Sequence, residues 1–204
     1  MTMPKILLFD IEVTPNLVFL WHPRVYSGYV SPDNIFKERV ISCIAWKWLW
    51  SDRIYSSRFN IDDQNDKKCV KKFLKSWAKA DAVITQNGDE FDVKWVRGRA
   101  AVHNLNVMSE PLQIDTKKIA KKAFNLNGYG LDYMGKHFNI GEKIETNFSL
   151  WKRVFAGQKN ALQEQVRYCK QDVRLLEGLF LRSYKWEPRM RAKVKDLYRQ
   201  AGLL

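Results

Sequence analysis

The chain has 204 residues, enough for one domain with a real hydrophobic core, and 46% of them are hydrophobic. No run approaches the eighteen or so apolar residues of a membrane span, the start Met1-Thr2-Met3-Pro4-Lys5 has no signal-peptide pattern, and three distant cysteines (Cys43, Cys69, Cys169) make no disulfide framework. A cytoplasmic protein is expected. The formal charge of +13 attracts polyanions, of which nucleic acid is the commonest in that compartment.

In chain order, Lys5-Ile6-Leu7-Leu8-Phe9-Asp10 is a continuous apolar run ending in an acid, as in a buried central strand. Residues 16–37, with Pro23, Gly28 and Pro32, read as a long loop. Val40 to Trp50 and Arg53 to Phe59 form two strands around a turn at Ser51-Asp52, an antiparallel hairpin. Asp66 to Ala80 has helical spacing. Ala82 to Thr85 is a short strand broken by Asn87-Gly88, and a helix is expected from about Glu90 to His103. Leu112 to Asp115 reads as another strand, with Asp115 or Thr116 capping the next helix. Further helices are expected around Leu131 to Phe138 and, at greater length, from Lys159 to Ser183. Strands first, then strand–helix alternation, then helices predict one α/β domain with a mixed sheet over residues 1–187, followed by a basic C-terminal tail, 188–204.

Four acids and a tyrosine stand out. Asp10 and Glu12, two apart on one strand, leave the same face and can reach one metal. Asp-x-Glu alone is a weak signal, equally readable as two solvated charges where the strand leaves the sheet. Asp92 stands one turn into a helix that Asn87 or Asp89 is placed to cap, and capping alone would explain those polar residues. Asp89 and Glu90 are rival ligands at this stage. Tyr168 and Asp172, four apart, share a helical face. Gathered acids are costly unless cations sit among them, and a pair of hard divalent ions is the natural partner. Two such ions also suit phosphodiester cleavage, because they stabilise the attacking and the leaving oxygen.

Taken in order, Asp10-Ile11-Glu12, Asn87 to Asp92 and Tyr168-Cys169-Lys170-Gln171-Asp172 resemble the three motifs of the DEDD exonucleases. With Tyr168 four before Asp172, the chain resembles the DEDDy branch, to which polymerase proofreading domains belong. The resemblance spans about Lys5 to Leu181 and departs at Val13, where many members carry the Thr that here is Thr14. It implies a ribonuclease H-like mixed sheet flanked by helices, and a stand-alone enzyme of phage type. The implied activity is 3′→5′ removal of nucleoside monophosphates from single-stranded DNA (or RNA) 3′ ends, with two Mg²⁺ or Mn²⁺ ions. It also implies roles: Asp10, Glu12 and Asp172 on one metal, Asp10 and Asp92 on the second, Tyr168 orienting the attacking water, and Asn87, Thr14 and Phe91 touching substrate. A silent nucleic-acid-binding protein on the same fold, or an endonuclease, are the competing readings.

Some features have blander expectations. Trp46, Trp48 and Trp50 share a strand face and read as core more readily than as a stacking platform. Trp21, Tyr26 and Tyr29, in the irregular loop, are better placed for stacking. His22, His103 and His137 have no spacing suited to a metal.

Overall fold

The computed structural model describes residues 3–23, 28–107 and 109–200, so Tyr26 lies outside the described residues. The expected central strand is β1, Ile6–Val13. It is apolar on both sides because both sides are covered. Leu7, Phe9 and Ile11 enter one core cluster, Ile6 and Leu8 the other. The strands that follow are β2 (Leu17–Val18), β3 (Ile35–Lys37), β4 (Ile41–Trp48), β5 (Ile54–Arg58), β6 (Ala82–Thr85) and β7 (Leu112–Asp115). The main sheet runs β5-β4-β1-β6-β7. β4 is antiparallel to β1, with Asp10 opposite Ala45, and β5 is antiparallel to β4. β6 and β7 run parallel to β1. This is the mixed sheet read from the sequence.

Helices α1 (Lys67–Trp77) and α2 (Asp92–Val102) cover one face. Cys69, Val70, Phe73 and Trp77 of α1 and Val93, Val96 and Ala100 of α2 pack on Leu7, Phe9 and Trp46. Phe73 is fully buried, with its ring 4.8 Å from Phe9, so truncation to Ala would cost about 3–5 kcal/mol. The other face carries α3 (Thr116–Ala123), α4 (Leu131–His137), α5 (Phe148–Phe155), α6 (Lys159–Ser183) and α7 (Pro188–Gln200). The side of α6 that bears Cys169, Val173, Leu176 and Phe180 crosses Ile6, Leu8, Ile84 and Ile114. Helix α7 puts Val194 into the same cluster, with Met190, Leu197 and Tyr198 packed around it.

Two stretches are more ordered than the sequence suggests. Within residues 16–37, β2 and β3 pair antiparallel over too few residues for alternation to be visible, and a turn at Pro32–Asn34 leads into β3. Helix α5 was not anticipated. Asn147 caps it, and Leu150 and Val154 pack on Phe59, Ile61, Ala161 and Leu162. Conversely, the hairpin strand ends early. Trp46 is buried and Trp48 packs against the same cluster, while Trp50, at φ 70°, has left the sheet and is exposed.

Candidate active site

Asp10 and Glu12 share a strand face with Ile6 and Leu8, so the helix that covers those apolar residues also covers the acids. Helix α6 passes with Cys169 donating its thiol to the Asp10 carbonyl at 3.3 Å. One helical turn on, this brings Asp172 down beside the pair. Carboxylate oxygens of Asp10, Glu12 and Asp172 all lie within 4.8 Å of one another. The structure thus gathers three of the four expected acids from positions up to 162 residues apart (10 to 172).

Asp92 reaches the edge of this cluster from the opposite side of the sheet. β6 accompanies β1 only as far as Leu8, which leaves the Ile11 amide without a strand partner on that side. Asp92 Oδ1 accepts that amide at 3.2 Å. The carboxylate is outside the group of three, yet its charge is felt by Asp10.

The electrostatics are those of a site built for positive charge. Burial pushes the Asp10 carboxyl well above the usual carboxylate range, and the charges of Asp92, Asp172 and Glu12 push it further. Burial and then Asp172 raise Glu12 to about 8. Burial raises Asp92 to about 7, against hydrogen bonds from its own amide and that of Ile11. Asp172 is also raised by burial, although Lys143 opposes the shift. Two oxygens, Asp10 Oδ2 and Asp172 Oδ1, are buried with no hydrogen-bond partner. Orphaned acceptors of this kind are rare and expensive in a folded protein. A hard cation with oxygen ligands is what this donor set fits.

Three further residues complete the walls: Lys143 and Trp151, which the sequence did not single out, and Asp115, which it offered only as a helix cap. Lys143, in the segment between α4 and α5, places Nζ 2.5 Å from Asp172 Oδ2 and 4.7 Å from the Tyr168 ring centroid. Trp151 of α5 donates its indole N–H to Glu12 Oε2 at 3.2 Å and meets the Tyr168 ring edge-on. No spacing ties Lys143 or Trp151 to the motifs, and only the packing of α5 on α6 brings them in. Tyr168 itself is half-buried, and burial together with the Asp172 charge pushes its hydroxyl up to about 12. It therefore keeps its proton at neutral pH and serves as a donor.

The third addition is Asp115, which holds the turn after β6. Its Oδ1 caps α3 through the Lys117 and Lys118 amides and also accepts the Asn87 amide at 3.0 Å. Asn87 adopts φ 66°, and its side-chain oxygen accepts from Lys117 Nζ at 3.2 Å. A Cβ on Gly88 would sit 2.1 Å from Thr85 Oγ1, so only glycine fits there.

The remaining expected residues fall as follows. Neither Asn87 nor Asp89 caps α2, whose N-cap is Phe91 without a side-chain hydrogen bond. Asp89 is paired with Lys118 at 2.6 Å and Glu90 with Lys94 at 2.5 Å, so both rival ligands are engaged elsewhere. Phe91 is half-buried against Trp95. Thr14 is buried, and its hydroxyl accepts the Val40 amide at 3.0 Å, which ties the end of β1 to the start of β4. Of the histidines, His103 is half-buried beside Asp66 and His137 stacks on Tyr133.

Acids from the central strand and from the longest helix thus meet where β1 ends. A family model, RNase_H_2 of the RNase_H superfamily, matches residues 37–184, well over half of the chain. The chain belongs to the RNase_H superfamily. The matched stretch holds Asp92, Tyr168 and Asp172 and begins after Asp10 and Glu12. Among solved structures, the chain is similar to the family B DNA polymerase from the hyperthermophilic archaeon Pyrobaculum calidifontis, at a TM-score of 0.64 and 18% identity. That match covers 89% of this chain and 24% of the polymerase, and it is a likeness of fold. No curated protein matches the chain.

Proposed function

We propose that the protein is a metal-dependent 3′→5′ exonuclease of the DEDDy branch, releasing nucleoside 5′-monophosphates from single-stranded DNA ends. Membership of the RNase_H superfamily supports nuclease chemistry on a nucleic-acid substrate in general. The observation that carries the finer reading is the convergence of Asp10, Glu12 and Asp172 beside Tyr168, with two buried carboxylate oxygens left unpaired.

Asp10, Glu12 and Asp172 would hold one Mg²⁺ or Mn²⁺ ion, and Asp10 with Asp92 a second. Ions bound there supply electrostatic stabilisation to the attacking and leaving oxygens of an in-line displacement. The protein's own groups do the rest. Trp151 fixes the Glu12 carboxylate, and Lys143 fixes Asp172 and limits repulsion within the cluster. Tyr168, protonated, orients the attacking water as a hydrogen-bonding group rather than as a base. Asn87, held by Asp115 and Lys117, meets the terminal nucleotide together with Phe91.

A second reading, a binding protein without activity, draws on the Lys143–Asp172 ion pair, which already neutralises one acid. One experiment separates the two. Single-stranded DNA labelled at its 5′ end is incubated with protein and Mg²⁺ or Mn²⁺, with EDTA as control and a matching RNA in parallel. A metal-dependent ladder shortening one nucleotide at a time is expected on DNA. A DNA that shifts on a gel but stays intact would support the binder, and a ladder on RNA alone would move the substrate to RNA.

A further inference from the structure

Helix α1 presents to solvent a surface made almost wholly of lysine. Lys67, Lys68, Lys71, Lys72, Lys75 and, just past its end, Lys79 are all exposed, while Cys69, Val70, Phe73, Leu74 and Trp77 are buried. This arrangement works against the helix. Lys67–Lys71, Lys68–Lys72, Lys71–Lys75 and Lys75–Lys79 are like charges four apart, which repel on a helix surface. Lys67 and Lys68 also stand in the first turn, at the positive end of the helix dipole, with no acid in that turn to relieve them. The N-cap Asp66 is turned away, its carboxylate held by Arg99 and His103. Elsewhere, exposed cations of the chain are paired one turn away: Lys94 with Glu90, Lys136 with Asp132, Arg199 with Asp196. Among the described residues none of the six lysines has an ion pair, and Lys72 donates to the Ser56 carbonyl at 3.0 Å. Positive charge continues round the sheet edge. Arg53, 4.8 Å over the Tyr55 ring, and Arg58 flank β5, and a groove of about 340 Å³ lined by Ser56, Ser57, Arg58, Lys72, Gln163 and Val166 holds no acid. The acids nearest in sequence, Asp52, Asp62 and Asp63, are three against these eight cations and do not cancel them.

We infer that the outer face of α1 is a docking surface for the phosphate backbone of duplex DNA, on the side of the sheet away from the acid cluster. It goes beyond the nuclease reading and does not depend on it. Repulsion left unrelieved within a helix is lifted by a partner that brings negative charge. The face itself selects which polyanion. It exposes no large apolar side chain, so it offers a protein partner no anchor and has nothing to insert into a lipid surface. It exposes no ring on which an unpaired base could stack. Lysines are point charges that hold phosphates without reading bases. From Lys67 to Lys75 the row is about 12 Å long, and a duplex carries one charge per about 1.7 Å of its axis. At 100° per residue the six lysines fan over about 140° of the helix circumference. The major groove of B-form DNA is wide enough to admit a helix, so a fan of this width reaches phosphates on both of its walls. The major groove of duplex RNA is too narrow for that.

The test measures binding by fluorescence anisotropy in EDTA over a series of NaCl concentrations. The ligands are a DNA duplex of about two helical turns, an RNA duplex of the same sequence, single-stranded oligo(dT) and a polyglutamate peptide. The proteins are the intact chain, the triple variant Lys68→Gln, Lys71→Gln, Lys75→Gln, and a control triple, Lys193→Gln, Lys195→Gln, Arg199→Gln, which removes equal charge from α7. The α1 triple is expected to bind the DNA duplex about tenfold or more weakly, with the slope of log affinity against log salt shallower by about three. It should melt at or above the parent temperature, because repulsion within α1 is relieved. The other three ligands are expected to lose less than about threefold, and the control triple to keep the parental duplex affinity and slope. Unchanged duplex affinity in the α1 triple would overturn the inference. So would an equal loss in the control triple, which would reduce the effect to net charge. A loss on oligo(dT), the RNA duplex or polyglutamate that matches the loss on the DNA duplex would overturn it too, by giving the face to another polyanion. Hydrolysis of the p-nitrophenyl ester of thymidine 5′-monophosphate, too small to span to α1, is expected to stay at the intact chain's rate. If the intact chain cleaves neither ester nor oligonucleotide while the α1 triple still loses duplex affinity, the docking surface stands and the nuclease reading falls.

Discussion

Two groups of carboxylates on the two faces of the sheet are treated in opposite ways. On the α1–α2 side, Asp66 is fully buried and every demand it makes is met. Arg99 binds it through two nitrogens at 2.7 and 2.8 Å, His103 approaches at 2.5 Å, and the Ile41 amide donates at 3.0 Å. Burial alone would raise its pKa, but the bonds from Arg99, His103 and Ile41 outweigh that and hold it below the ordinary value. At the end of β1, by contrast, Asp10, Glu12 and Asp172 crowd together with Lys143 as their near cation, and two of their oxygens bond to nothing. Buried charge that is paired all round ties elements together. Buried like charge left unpaired weakens the fold, and it persists where something else is meant to bind.

Exchanging acids for neutral isosteres should separate the two places most sharply. Asp10→Asn, Glu12→Gln or Asp172→Asn is expected to reduce hydrolysis to background in the ladder assay. In EDTA at pH 8 the same variants should melt at or above the parent temperature by calorimetry, since repulsion is relieved. Asp66→Asn is expected to do the reverse. It leaves Arg99 buried and underpaired, costs about 3–5 kcal/mol in urea unfolding, and leaves the rate per folded molecule unchanged. An Asp10→Asn variant with parental activity would remove the site.

The comparison also has a sign in pH. Glu12, ordinarily near 4.5 and raised to about 8 in the fold, favours the folded state below 4.5, and that contribution is lost as pH rises through 8. Asp92, raised from 3.8 to about 7, acts in the same direction over a lower window. Asp66, lowered, stabilises above 3.8 and loses its contribution as pH falls through its folded value. In EDTA, melting temperature should therefore decline between pH 5 and 8.5, and added Mg²⁺ or Mn²⁺ should flatten the decline. A profile that rises across this range, or one that ignores the metal, would contradict the electrostatics of the cluster.

Smaller effects should follow from the groups that hold the acids in place. Lys143→Met is expected to lower the hydrolysis rate about 10–100-fold by freeing Asp172, with part of the loss restored in Lys143→Arg. The smallest change should come from Asp115→Ala. It removes the α3 cap, at about 1 kcal/mol by thermal unfolding, and loosens Asn87, read as a rise in KM larger than any fall in kcat.

Much of this was visible in the chain itself, because it depends on local pattern. The apolar run before Asp10 predicts a strand covered on both sides, and the i, i+4 spacing of Tyr168 and Asp172 puts both on one face of α6. Short pairings such as β2 with β3, and the eight-residue helix α5, lack enough residues for a period to show. Asn87 does not cap α2 because its side-chain oxygen accepts from Lys117 Nζ, thirty positions away, while its amide donates to Asp115. The sequence by itself determined on which faces of their own elements the four acids and Tyr168 stand, since residue identity and periodicity are local properties. Only the tertiary structure decided that Lys143 and Trp151 reach those acids, that Asp89 and Glu90 are engaged elsewhere, and that Asp66 is the satisfied carboxylate. Those outcomes depend on which distant groups share a desolvated space, and packing alone chooses them.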